Sequence, residues 1–147
     1  MKKCFSENQI ISKLRQAIII GAVGLFLTGC LRRSDDQWEN ELLSPSGHYK
    51  VSVSRNNDKS DKTKWLCLKI HIKNSAEKEV DVIQTSASDT MKWALGWMKD
   101  KDVVVLYSSD IGTYGYIITK DEKLEKVETG DSIAERGRDL YEKKYKR

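Results

Sequence analysis

Hydrophobic and polar residues alternate most regularly from Trp65 to Lys73, with Leu66, Leu68, Ile70 and Ile72 on one side and Trp65, Cys67, Lys69, His71 and Lys73 on the other. Successive side chains of an extended chain point to opposite faces, so a period of two over this stretch predicts a strand with one buried face and one mostly wet face. A shorter alternation sets Tyr49, Val51 and Val53 against Lys50, Ser52 and Ser54. It follows Ser44-Pro45-Ser46-Gly47, a turn sequence in which proline fixes φ at the second position and glycine supplies a permissive φ at the end. The segment 55–62 is polar throughout and predicts a loop, and 74–78 predicts a turn into a third strand at Val80, Val82 and Ile83.

Met91, Trp93, Leu95 and Trp97 alternate with Lys92, Ala94 and Gly96. The spacing of the two tryptophans also suits a helix face, but the shortness of the run and Gly96 favour a strand. A polar turn at 99–102 leads into Val103–Tyr107, an unbroken β-branched run of the kind buried on both faces, which marks the centre of the sheet. The segment from Ser108 to Tyr116 holds small residues and two glycines and predicts a long loop, followed by a strand over 116–119 and a charged edge strand over 123–128. Ser132-Ile133-Ala134-Glu135 fits a capping box, in which serine caps the helix and glutamate reaches back. The helix predicted from there, about 132–146, shows Ile133, Gly137, Leu140, Tyr141 and Tyr145 on one face and ends in cations that the helix dipole favours. The expected fold is mainly β, a small antiparallel sheet of about five to seven strands with a C-terminal amphipathic helix.

Ahead of all this lies an apolar run, Ala17 to Leu27, eleven residues long. A helix needs roughly 20 apolar residues to cross a bilayer, so this one is too short to remain as a span. Lys2, Lys3, Lys13 and Arg15 precede it against the single acid Glu7, and Arg32-Arg33-Ser34-Asp35-Asp36 follows. A positive start, a short apolar core and small residues at its end are the marks of a cleaved signal peptide. Its last four residues, Leu27-Thr28-Gly29-Cys30, resemble the lipobox of bacterial lipoproteins. The resemblance implies a diacylglycerol thioether on Cys30, cleavage before it, and acylation of the new amine, commonly with palmitate. On that basis 1–29 is a signal peptide, 30–44 the lipidated cysteine and tether, and 45–147 one β-rich domain. Leu31 stands where enterobacterial lipoproteins retained in the inner membrane carry aspartate, so the resemblance implies an outer-membrane anchor facing the periplasm. Trp38, Leu42 and Leu43 lie in the tether; the leucines are expected to pack on the domain.

Composition changes meaning once the leader is set aside. The whole chain carries +4, but residues 30–147 hold 22 Lys and Arg against 21 Asp and Glu. Nucleic acid is therefore not an expected partner, since phosphate binding needs clustered, uncompensated cations. Of the three cysteines, Cys4 leaves with the signal peptide and Cys30 takes lipid, so Cys67 is expected to stand alone, as a buried thiol within a strand or else as an intermolecular crosslinking site.

Candidate chemistry is sparse. Cys67 and His71 share a strand face but are separated by about 13 Å, too far for a common metal ion. His71 is flanked by Lys69 and Lys73, with no acid near it in sequence, and no G-x-S-x-G or glycine-rich phosphate loop is present. No cofactor, metal, catalytic residue or small-molecule substrate is expected. The Ser-Pro-Ser-Gly turn before an alternating strand looks like the start of a blade in TolB-like β-propellers, a likeness confined to that turn and strand because the chain is too short for a ring of blades. A lipobox ahead of a small Trp- and Tyr-rich sheet domain also looks like lipoprotein immunity proteins that neutralise rival toxins. The function expected is a lipid-anchored, non-catalytic protein-binding module, a toxin-immunity protein or an accessory of an envelope complex, using Trp93, Trp97, Tyr114 or Tyr116 where these are exposed. The alternatives are a structural or lipid-surface lipoprotein without a tight partner and, third, a small periplasmic enzyme.

Overall fold

The computed structural model describes residues 41–146. The signal-peptide and lipobox assignments, Cys30, the tether before Glu41 and Trp38 lie outside these residues. Eight strands and one helix follow in order: β1 (Leu42–Leu43), β2 (Tyr49–Arg55), β3 (Cys67–Asn74), β4 (Glu79–Ser88), β5 (Trp93–Trp97), β6 (Val103–Ser108), β7 (Gly112–Ile118), β8 (Leu124–Val127) and α1 (Asp131–Tyr145). The mainly-β class with a C-terminal helix is as expected. The strands form two antiparallel four-stranded sheets rather than one, β1-β2-β3-β4 and β5-β6-β7-β8.

Each sheet is a meander of sequential neighbours. Val51, Val53, Leu68, Ile70, Ile72 and Ala87 of the first face Trp93, Leu95, Trp97, Val104, Leu106, Tyr116 and Leu124 of the second. The alternation read from Leu68 to Ile72 is thus the core side of β3, where Leu68, Ile70 and Ile72 are fully buried. Leu66, which begins the alternation in the sequence, instead takes a φ of 62° in the turn before the strand.

Three aspartates hold the sheets together by accepting backbone amides at the rim of the interface. Leu124 N donates to Asp81 Oδ2 at 2.7 Å, Ser88 N to Asp110 Oδ2 at 3.0 Å, and Ser46 N to Asp102 Oδ1 at 3.1 Å. Trp97 Nε1 adds a fourth bridge, to the Leu42 carbonyl at 2.8 Å. The Ser44–Gly47 turn closes as its sequence predicts, with Gly47 N bonded to Ser44 O at 2.9 Å and Gly47 at a φ of 77°.

The segment 108–116 is not a long loop. Gly112 takes a φ of 86° and turns the chain tightly, so that β7 starts there and Thr113 to Tyr116 pair with β6. The glycines read as loop formers serve one turn and one packing site. Nor does Ser132 cap the helix. α1 starts one residue earlier, Gly130 occupies the N-cap position, and no side-chain cap hydrogen bond is made.

The predicted helix face is the one that packs. It lies on the second sheet's outer side, where Ile133 meets Gly115, Gly137 meets Thr113 and Leu140 meets Gly96. Tyr141 lies against Tyr107 with ring centroids 4.9 Å apart. Glycines at these sheet and helix positions let the two elements approach where a methyl group would collide.

Candidate functional site

Each aromatic expected at a partner surface has a place in the packing. Trp93, Trp97 and Tyr116 are 5%, 6% and 5% exposed and belong to the core. Lys144 Nζ lies 3.6 Å from the Trp93 ring centroid, and Lys126 Nζ 3.7 Å from that of the half-buried Tyr114. Their exposure was the condition for a binding role, and for Trp93, Trp97 and Tyr116 it is not met. They fill the space between the sheets, and β5, read as a strand from its alternation, is buried at all five positions.

Cys67 is fully buried, but it is disulfide-bonded rather than a free thiol. The other cysteines of the chain, Cys4 and Cys30, both lie outside the described residues. Beside it, Arg55 Nε at the end of β2 lies 2.5 Å from Asp89 Oδ2, a carboxylate side chain only 1% exposed.

Two surface grooves among the described residues are candidate sites. The first, about 530 Å³, lies on the outer face of the first sheet, which no helix of the described residues covers. Here β2, β3 and β4 bring together a polar chain that sequence reasoning missed. Ser54 Oγ is 2.7 Å from His71 Nε2, and His71 Nδ1 is 2.8 Å from Glu79 Oε2. The acid absent from His71's neighbourhood in sequence arrives through the β3–β4 hairpin, in which Lys73 pairs with Glu79. The hairpin turn at 74–78 was the available signal. Lys73, on the same face, is held by Glu41 Oε1 at 2.5 Å, a hydrogen bond that raises the lysine pKa. A serine, an imidazole and a carboxylate in series can pass a proton. Ser54, however, sits within an extended strand, not on the sharp strand-to-helix turn that presents a hydrolase nucleophile.

The second groove, about 700 Å³, runs along the free edge of β5 between β1 and α1. Leu42, Leu43, Pro45 and Leu140 form its apolar walls, and Lys99, Arg136, Lys143 and Lys144 stand around it against one carboxylate, Glu41. Leu43 is 60% exposed, the most exposed large hydrophobic side chain among the described residues. On either side of β5, Met98 N donates to the Val103 carbonyl of β6 and Lys92 O accepts from Ser109 N just past β6. The antiparallel alternation therefore turns the backbone groups of Trp93, Leu95 and Trp97 toward the groove. Tyr145 Oη takes both groups of Trp93, accepting from its N–H at 3.2 Å and donating to its carbonyl at 2.9 Å. Arg136 Nε donates to the Trp97 carbonyl at 2.8 Å.

Protein-family models, curated proteins and solved structures contain no match to this chain.

Proposed function

We propose that the chain is a lipid-anchored envelope protein, held at the periplasmic face of the outer membrane through Cys30, whose domain is a non-catalytic module that binds another protein. Toxin immunity and service to an envelope complex are its two candidate roles. Support for the anchor comes from Leu27-Thr28-Gly29-Cys30 at the end of an apolar run too short to span. Among the described residues, no helix is long and apolar enough to cross a membrane. β1 is the first strand among the described residues, and 31–41 as an extended tether would hold the domain within about 36 Å of its anchor at ~3.3 Å per residue. Support for binding comes from one observation above the rest, the apolar, cation-rimmed groove beside an open sheet edge.

The anchor is tested by growing cells that express the full chain with an alkyne fatty acid. Labelling and loss of 1–29 are expected for the native chain and neither for Cys30→Ala; a Cys30→Ala chain processed and labelled like the native one overturns the reading. A thioether and a disulfide cannot share one sulfur atom. Intact mass of the labelled protein therefore also reports whether Cys30 bears lipid or is joined to Cys67.

A second reading, a small periplasmic enzyme, draws support from the Ser54–His71–Glu79 chain alone. It requires Ser54 to react as a nucleophile.

A further inference from the structure

We propose that the groove beside β5 receives an extended, acidic segment of a partner protein, which pairs its backbone with Leu95 and sets its carboxylates against Lys99, Arg136 and Lys143. The proposal rests on the protein-binding reading above and names the class of partner.

An exposed sheet edge is a template for another strand, and proteins ordinarily blunt it with a covering element. Here the blunting is partial. Tyr145 closes the edge at Trp93 and Arg136 closes the carbonyl of Trp97. Between these two points, about 13 Å apart along the strand, the N–H and C=O of Leu95 face the groove. One residue of an incoming strand can satisfy both groups, as in recognition by strand addition.

The groove walls suit such a segment. Alternate side chains of an extended peptide point to opposite sides. One set would meet Leu42 and Leu43 of β1, covering the 60% exposed Leu43. The other would face the cations. Glu41, the single carboxylate lining the groove among the described residues, is bonded to Lys73 and lies 3.9 Å from Lys50, which leaves the charge of that described lining positive. Lys143 is exposed, and the Lys99–Asp139 contact at 3.5 Å joins two exposed side chains, so it opposes recruitment of Lys99 only weakly. A basic segment does not fit the charge, and a proline-rich one does not fit the edge.

The test uses the full-length chain in detergent and a fluorescein-labelled, acetylated probe peptide, Glu-Val-Thr-Val-Asp-Val-Glu. A saturable rise in anisotropy is expected, with slowed hydrogen exchange over 93–97. Lys99→Glu with Lys143→Glu should weaken binding by about tenfold or more, because each reversal turns an attraction into a repulsion. N-methylation of the probe's central residue should abolish binding, and a probe with lysine at each acidic position should not bind. No saturation up to ~1 mM, or equal binding by the acidic and basic probes, overturns the proposal.

A photo-crosslinking residue placed at position 43, and separately at position 69 on the first sheet's outer face, separates this proposal from the reading it rests on. In intact envelopes, a specific protein crosslinked at 43 agrees with the groove when the acidic probe also binds there. Crosslinking only at 69 overturns the groove and leaves a binding module. Crosslinking at neither overturns both.

Discussion

Gly137 sets two effects of similar size against each other. In an exposed helix, glycine costs about 1 kcal/mol relative to alanine, so Gly137→Ala would ordinarily stabilise α1 by that amount. Gly137 is instead buried against β7, where an added Cβ would lie 2.6 Å from both Cγ2 and Oγ1 of Thr113 and 3.2 Å from its Cβ. Threonine branches at Cβ, and with both branch atoms in the way rotation about χ1 replaces one collision with the other. Overpacking of this kind costs about 1–3 kcal/mol. The expected net effect of Gly137→Ala is therefore a loss of up to about 2 kcal/mol, despite the better helix former. In a Thr113→Ala background both colliding atoms are gone, and the same substitution should be neutral or stabilising by up to about 1 kcal/mol. Urea denaturation of the four proteins of this double-mutant cycle, followed by tryptophan fluorescence, should show a coupling of about 1–3 kcal/mol. If Gly137→Ala stabilises the chain equally with Thr113 present and absent, the helix does not sit on β7 as described.

Asp81 feels desolvation, which raises its pKa, but the amides of Leu124 and Val82 and the Lys123 ammonium together hold it below 3.8. Its contribution is then present above that value and lost as pH falls through the folded-state pKa. Asp81→Asn should cost about 1–2 kcal/mol at pH 7, with the gap to the native chain narrowing as pH falls below 3.8; a gap that stays constant through the acid range refutes the assignment. Burial, with Tyr114 adding to it, pushes the Tyr116 phenol up from 10.0 to about 12. The native chain should thus lose stability between those two values, on the order of 3 kcal/mol. Tyr116→Phe should lack that part of the loss in alkaline denaturation, and identical curves would show that the phenol is not buried. Finally, a fluorophosphonate probe is expected to leave Ser54 unlabelled, because the strand lacks an elbow; labelling abolished by His71→Ala would favour the enzyme reading.

The face of α1 was legible residue by residue, because a helix packed on one side repeats its contacts every three to four positions. Ile133, Gly137, Leu140, Tyr141 and Tyr145 all touch the second sheet or its edge. The core side of β3 was equally plain. Less visible was β4, whose second half, Gln84-Thr85-Ser86-Ala87-Ser88, is polar or small and has no apolar alternation. It is held by hydrogen bonds instead, such as Thr85 Oγ1 to the Leu68 carbonyl at 2.8 Å. The division into two sheets was hidden because local pattern shows which residues are buried and not against what. The same gap hid the sites. Ser54, His71 and Glu79 meet only through strand register, and the β5 groove exists because β1 and α1, distant in sequence, flank the same edge.

The meander order of the strands bears on how the chain reaches its final state. Every strand pair joins sequence neighbours, and the first sheet is complete at Ser88 before the second begins at Trp93. Local pairing of this kind keeps loop-closure entropy low and favours fast formation of each meander. Docking is a separate matter, since a first sheet formed alone would leave Val51, Val53, Leu68, Ile70 and Ile72 open to water. For a chain threaded N-terminus first through a narrow channel, that interval lasts as long as 93–146 take to emerge. The aspartate bridges lie at both sides of the interface and complete it only when the second meander has arrived, so the passage from two sticky sheets to one closed domain is the step at which a folding factor has something to hold.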